Sequence, residues 1–579
     1  MPAPIIMRLT IERFRGVASF TWQPAKGSNV ILGGGDAGKT TILDAIGLLL
    51  NPTNAVSLSD ADYFGRTVAG GFKIEAVMSL PPELMAGQTH RPSWPWEWKN
   101  GNAVPPALGD EGPAGDPVYI LRVSGTSDLE LLWEIVQPNG ETDFLSVGLR
   151  RAIGVIRLGG DDRNDRDLRL VQGSALDRLL SDRSLRSRLG SKLAKSEVKD
   201  ELDPDAKKAL AELDTAFKIK ALPDKLDLAV TGAQGVTITA LIGLTADKAG
   251  VQLPLANWGS GTRRLAALAI AEQTQDALPI TIVDEVERGL EPYRQRGLMQ
   301  ELQDGAAQTF LTTHSASVVS AATNSSLWYL DHKGNIGPLD RKKIADHQKK
   351  EPETFLARLS IIAEGATEVG FVNALLEKVL EGPPEQYGIR VSDGGGHETA
   401  LGLLEALSEG GLMFGGFADD ESGKHPQRWR RVKDKLGPLL FRWDSGCLEV
   451  NLIRAVPADR LEDLIQGTDD GPGSRLRTLA DRLGLAVKEF ATIKASAGDS
   501  LVPLIIEAAL GQVPTGKDSE KKTYSSHAQT WFKTPAGGRE LADKLFSLGL
   551  WPTFKPTLMP FLNAVRGAVG LPPREDIMP

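Results

Sequence analysis

A single cysteine, Cys447, occurs among the 579 residues. That scarcity excludes an intrachain disulfide framework and a cysteine-rich zinc site. There is no apolar run of about 18 residues, the length a membrane-spanning helix needs. The opening Met1–Arg8 segment lacks the long apolar core of a secretory signal. Internal repeats and low-complexity tracts are absent as well. Positive charge does not dominate either, since 66 basic side chains face 75 acidic ones for a net charge of −9. A surface coated in basic residues is therefore not expected, although a local nucleic-acid track stays open. What remains is ordinary globular composition. The expectation is a soluble, cytoplasmic protein with no membrane partner and, at roughly 100–200 residues each, about three or four domains.

Hydrophobic patterning divides the chain. Alternating residues from Arg8 to Gly16 predict a half-buried strand. A second strand, Ser28–Leu32, runs into glycines 33–35 and then an apolar-periodic helix from Thr41 to Leu50. Residues 72–80 alternate again, whereas 81–118 are rich in Pro and Gly and hold Trp94, Trp96 and Trp98, predicting a surface insertion. From about 161 to 225 the pattern is mixed-charge helix, either a solvated hairpin or an inserted dimerisation arm. Strand–helix alternation resumes at 236–345. The polar stretch Arg341–Pro352 predicts a boundary near 345–355, and a second alternation runs from Leu359 to about 465 before a helical C-terminal part.

Gly33-Gly34-Gly35-Asp36-Ala37-Gly38-Lys39-Thr40 matches the phosphate-loop pattern in full, between a predicted strand and a predicted helix. In that setting backbone N–H groups cradle phosphate oxygens, Lys39 reaches the β/γ-phosphates and the Thr40 hydroxyl ligates Mg²⁺. A second buried strand, Leu278–Val283, ends in Asp284-Glu285, a carboxylate pair suited to Mg²⁺ (Asp284) and to positioning the attacking water (Glu285). A third, Gln308–Thr313, ends in His314, at the place of a γ-phosphate sensor. The 245 positions between Lys39 and Asp284 are too many for a compact module and suit one with a large insertion. Trp258-Gly259-Ser260-Gly261-Thr262-Arg263-Arg264 precedes an apolar helix, and Gly261 lies 23 residues before Asp284.

This ordered set resembles the ATP-binding-cassette ATPases of the SMC/RecF type over residues 1–340. The resemblance implies ATP held by Gly33, Gly38, Lys39, Thr40, Thr41 and Asp284. It also implies catalytic roles for Glu285 and His314, with Ser260 and Gly261 completing the site of a second protomer. A homodimer or higher even assembly follows. The loop departs from the family in having Gly35 where Asn is frequent. The signature reads Trp-Gly-Ser-Gly-Thr, and Val286-Glu287 follows the carboxylate pair.

A second constellation is acidic. Apolar strands end in Glu364-Gly365, with Glu368 four positions on, and in Asp419-Asp420-Glu421. Glu449 sits beside another apolar run. Asp419 and Glu421 would face the same way on an extended segment. Gathered carboxylates repel one another unless protonated or bound to cations, and oxygen-only ligands suit Mg²⁺ or Mn²⁺. Two such ions about 3.5–4 Å apart support phosphodiester cleavage. The order resembles the Toprim domain over about 355–465, with Asp420 as the substitute if Glu421 is out of register.

A cassette ATPase followed by a Toprim domain resembles the OLD-family endonucleases, and size and order are similar to the nuclease subunit of Gabija-type antiphage systems. The implied fold is α/β: an ABC-type phosphate-loop ATPase with a helical insertion, then a Toprim domain with helical additions. The implied domains are 1–160 (ATPase lobe), 161–230 (helical insertion), 231–350 (second lobe) and 351–579 (Toprim and helical part). Metals would be held by Glu364, Glu368, Asp419, Glu421 and Glu449. Lys533 would assist cleavage, its alternative being a surface lysine. Double-stranded DNA and a helicase-like protein are the implied partners. The basic run Lys424–Lys435 would track phosphates, with Trp429 either stacked on a base or packed, and Lys517, Lys521 and Lys522 add a second basic excess. The rival expectation is a RecF/SMC-like DNA clamp that does not cleave.

Overall fold

A computed structural model describes residues 3–85, 94–106, 115–158, 167–171, 174–180, 198–230, 242–273, 278–420, 423–466, 472–515 and 518–577. It divides into two compact units, one of residues 1–32 and 38–328, the other of 33–37 and 329–579. The change of unit between Trp328 and Tyr329 lies upstream of the 345–355 segment expected from composition. That segment is largely the helix Arg341–Lys350, begun by Asp340, whose side chain accepts from the Lys342 N–H.

The first unit contains a parallel sheet ordered Val155–Leu158, Ile280–Val283, Thr309–Thr312, Ser28–Leu32. The last three of these strands are buried at every position. Continuous apolar runs behave this way when both sheet faces are covered. A separate antiparallel sheet places Ile5–Phe14 between Val17–Trp22 and Phe72–Ser79 and continues to Asp116–Gly125. Gln308, at the foot of a parallel strand, joins the two layers: its side chain accepts from the Ile6 N–H at 2.7 Å and donates to the Ile6 carbonyl at 3.0 Å.

The tryptophan-rich stretch differs from expectation. Trp96–Lys99 and Asn102–Val104 form a hairpin that extends the antiparallel sheet through Asp116–Gly125. Trp96 Nε1 donates to the Val136 carbonyl at 2.8 Å, so an aromatic residue anchors the hairpin. Within the charged insertion, the helix Pro204–Ile219 is not wholly solvated. Ala206, Leu210, Leu213 and Phe217 are buried, and the helix packs on Ser260–Gln273. Lys220, just beyond its end, pairs with Glu272 at 2.6 Å and Glu301 at 2.7 Å.

The second unit is built on a four-stranded parallel sheet ordered Ile389–Asp393, Leu359–Ala363, Gly415–Ala418, Leu440–Arg442. In chain order the second strand adds on one side of the first and the third on the other. Such a reversal opens a crevice beyond the C-terminal ends of the two central strands. Glu364 and Asp419 are the residues at those two ends. Helices follow, among them Ala366–Leu380, His397–Glu409, Pro426–Leu436, Leu448–Ala455, Pro472–Leu483, Lys521–Thr530 and Pro535–Ser547.

Candidate functional site

In the first unit the helix Lys39–Leu49 begins at Gly38, whose φ of 97° lies in the left-handed region. No neighbour crowds a Cβ there, so glycine is required by the backbone angle, which turns the chain sharply into the helix. The N-terminal end of this helix, with the buried Lys39, makes the anion-binding end expected of a phosphate loop.

Asp284 follows the buried strand Ile280–Val283 and is itself buried. One of its oxygens accepts from Thr40 Oγ1 at 3.3 Å and from Thr312 Oγ1 at 2.6 Å. The Thr312 hydroxyl also accepts from the Glu285 N–H at 2.9 Å. Glu285 adopts φ 49°, uncommon for a residue with a side chain, and holds the turn at the strand end. Glu287 accepts from Thr313 Oγ1 and from the His314 N–H, both at 2.6 Å. Partial burial, and then the charge of Lys39, lower the His314 pKa. The paired oxygens of Thr40 and Asp284 fit a hard divalent cation, and these two residues would hold it.

Arg264 is a residue that sequence reasoning missed. It lies in the helix Ser260–Gln273, is 2% exposed, and donates to the carbonyls of Asp284 and Glu285, the latter at 2.7 Å. An arginine in register with the buried Gly261, Leu265 and Leu268 was its signal. At the helix start, a Cβ on Gly261 would strike the Gly289 carbonyl, and one on Gly289 would strike Ser260. Two glycines thus bring the helix Ser260–Gln273 onto the turn that follows Asp284.

The second unit gathers Glu364, Glu368, Asp419 and Glu449, all buried. One Glu364 oxygen accepts from the Asp419 N–H at 3.0 Å and meets His397 Nδ1 at 3.3 Å. His397 Nε2 accepts from Trp429 Nε1 at 3.4 Å, so its proton resides on Nδ1 and is donated to Glu364. Asp419 accepts from the Leu448 N–H at 3.0 Å, at the start of Leu448–Ala455. Glu449 is 0% exposed, and neither of its carboxylate oxygens has a well-formed hydrogen bond. Burial and then Glu449 raise the Glu368 pKa; burial and then Glu368 and Glu364 raise that of Asp419.

Lys533 Nζ lies 2.7 Å from a Glu449 oxygen. Burial works against its charge, but Glu449 and then Glu368 keep it protonated well above the usual lysine range. A tight helix contact positions it. The helices Ala366–Leu380 and Pro535–Ser547 meet at Gly370 and Gly538, where a Cβ would strike Pro535 and Thr367. Thr367 Oγ1 donates to the Phe532 carbonyl at 2.9 Å, tying down the residue before Lys533.

Other expected residues fall elsewhere. Asp420 pairs with Arg442, and its N–H donates to the Gly446 carbonyl, so it does not substitute in the cluster. Glu421 and Lys517 lie outside the described residues. Trp429 is 3% exposed and packed, not a stacking platform. Its helix is amphipathic, with Trp429, Val432 and Leu436 inward. Arg428 and Arg431 are bound to Glu405, which leaves Arg430, Lys433 and Lys435 on the exposed side.

The phosphate-loop motif, the buried Asp284 and the parallel sheet together make a mixed α/β arrangement suited to holding a nucleotide phosphate. Residues 127–320, a span that includes Ser260, Asp284 and His314, match the family model described as "AAA domain, putative AbiEii toxin, Type IV TA system". No curated protein matches the sequence. Among solved structures, the chain has likeness to the Smc head bound to the C-winged helix domain of ScpA (14% identity, 56% of this chain and 93% of that one, TM-score 0.36). It has likeness also to the Smc head domain with an extended coiled coil bound to the C-terminal domain of ScpA, derived from Pyrococcus furiosus (13%, 60% and 99%, 0.36). A third is the recombination mediator protein RecF-ATP in the RecFOR pathway (13%, 58% and 100%, 0.35). Among the described residues no helix is long and apolar enough to cross a membrane.

Proposed function

We propose that this chain is an SMC/RecF-type ATPase joined to a divalent-metal-dependent DNA endonuclease of the Toprim type, similar to the OLD-family and Gabija-type nucleases in antiphage defence. The observation that carries the nuclease half is the buried cluster of Glu364, Glu368, Asp419 and Glu449 at the crevice of a parallel sheet, faced by Lys533. Burying unneutralised carboxylates costs several kcal/mol each, about as much as a small domain can spare. Oxygen-only donors, among them the fully buried Glu449, fit Mg²⁺ or Mn²⁺, held by Glu364, Glu368, Asp419 and Glu449. A bound cation there supplies charge stabilisation for an in-line attack on a phosphodiester.

The chain's own groups set the geometry. His397 orients Glu364, the start of Leu448–Ala455 orients Asp419, and Lys533 offers a protonated amine toward the developing charge. Arg430, Lys433 and Lys435 supply non-specific phosphate contacts. ATP, bound by Lys39, Thr40 and Asp284, governs access of DNA, with Ser260 and Gly261 acting across a homodimer. A helicase-like partner belongs to the same reading.

The test is conversion of supercoiled plasmid to nicked or linear DNA with Mg²⁺ or Mn²⁺. Wild type is expected to cut and Glu364→Ala to be inactive. A wild type that never nicks under any metal and nucleotide condition overturns the nuclease reading. It would leave a DNA-binding ATPase clamp.

A further inference from the structure

The single cysteine of the chain lies inside the acidic cluster. Cys447 caps the helix Leu448–Ala455 and is partly buried. Ligand atoms of Asp419, Cys447 and Glu449 all lie within 4.8 Å of one another. The neighbour that points to a ligand is Glu449, fully buried, with neither oxygen in a well-formed hydrogen bond and Lys533 as its ion-pair contact. A site for Mg²⁺ alone has no use for sulfur, because hard cations take oxygen donors. One thiol beside two carboxylates is a mixed donor set that favours borderline and soft divalent cations over hard ones.

We propose that Asp419, Cys447 and Glu449 form a site for a thiophilic divalent cation, Zn²⁺ in kind, which excludes hard cations from the same carboxylates and so holds the centre inactive. The inhibitory part rests on the nuclease reading above; the site itself does not. On binding, the thiol S–H bond breaks, a metal–sulfur bond forms from the sulfur electron pair, and the proton leaves to solvent. No electron is transferred. Glu449 turns from the Lys533 amine to the cation, so Lys533 is released toward the crevice.

Cadmium is the probe, since a thiolate–cadmium bond has an ultraviolet charge-transfer band that carboxylates lack. The full-length, metal-free chain is titrated with Cd²⁺ while absorbance and proton release are followed. Wild type is expected to develop the band at one equivalent, with proton release. Cys447→Ser and Cys447→Ala are expected to lose it, with folding checked by circular dichroism. Asp419→Asn and Glu449→Gln are expected to need more Cd²⁺ for the same band. Absence of the band in wild type overturns the site, as does unchanged Cd²⁺ affinity in both carboxylate variants, which would mean an isolated thiol. Excess Mn²⁺ is expected to raise the Cd²⁺ needed. Should Mn²⁺ fail to compete while the band still depends on all three residues, the thiophilic site stands and the exclusion of hard cations is overturned. Plasmid nicking, read separately, decides the nuclease reading.

Discussion

One oxygen of Asp284 accepts from both Thr40 and Thr312, and the Thr312 hydroxyl in turn receives the Glu285 N–H. Thr312 therefore ties the Asp284 carboxylate to the Glu285 backbone. Thr312→Val is expected to leave ATP binding nearly intact but to slow hydrolysis. Orphaning buried groups should also cost about 1–3 kcal/mol, measured as a shift in the denaturation midpoint beside phosphate release. In the other unit, Trp429 donates to His397 and His397 to Glu364. Trp429→Phe keeps the packing and removes the donor, freeing the imidazole to change tautomer. On the proposed metal role, Mn²⁺ affinity should fall about tenfold by calorimetry, as for other groups that orient ligands. Unchanged affinity would make Trp429 a packing residue only.

At the scale of elements, a close glycine contact sets where Lys533 stands. Helices that meet at Gly370 and Gly538 cannot accept larger residues without separating. Gly538→Leu is expected to destabilise the unit by about 1–3 kcal/mol through overpacking and to abolish nicking, because the Phe532–Lys533 turn moves with its helix. A second element-level device is the buried His347 in Arg341–Lys350, with Nε2 2.9 Å from Thr354 Oγ1. Burial lowers its pKa from 6.5; Glu351 and Asp393 oppose the shift, and Arg390 and Lys350 reinforce it. Above 6.5 both folded and unfolded chains hold the ring neutral, so its contribution is complete. Below that, the unfolded chain takes up a proton that the folded chain resists, and stability is lost as pH falls. Thermal midpoints between about pH 8 and pH 5 should decline less in His347→Gln than in wild type.

For the whole molecule, the proposed mechanism requires a second copy. Glu285→Gln is expected to bind ATP without turning it over and to accumulate as an ATP-bound dimer in sedimentation velocity. Ser260→Arg, placed where the opposite nucleotide would lie, is expected to bind ATP but remain monomeric. Dimerisation that persists in Ser260→Arg would show that copies meet through another surface. Nothing in the net charge of −9 announces DNA binding. The acidity includes the buried cluster, while Arg430, Lys433 and Lys435 are exposed on one helix.

Much of this was legible in one dimension wherever function depends on local geometry. The phosphate loop needs a strand, a glycine turn and a helix in succession, and eight contiguous residues encode it. The buried strands Ser28–Leu32, Ile280–Val283 and Leu359–Ala363 are short apolar runs ending in functional side chains, so their type and position could be read directly. Expectation failed where long-range packing decides. Trp429 in a basic run left base stacking and packing both open, and helix periodicity turns it inward while its charged neighbours bind Glu405. Asp420 and Asp419 are adjacent in sequence, yet opposite faces of an extended segment send one to Arg442 and the other to the cluster. Residues 81–118 held turn formers, and only pairing with Asp116–Gly125 made part of them strand. The sequence by itself determined the nucleotide motif and the strands that carry acids. Tertiary structure alone decided that Lys533 reaches Glu449, that Arg264 grips the Asp284 turn, and that the lone cysteine lies among carboxylates. Each of these depends on contacts between segments far apart in the chain, and such contacts are set by packing and burial, which local spacing does not encode.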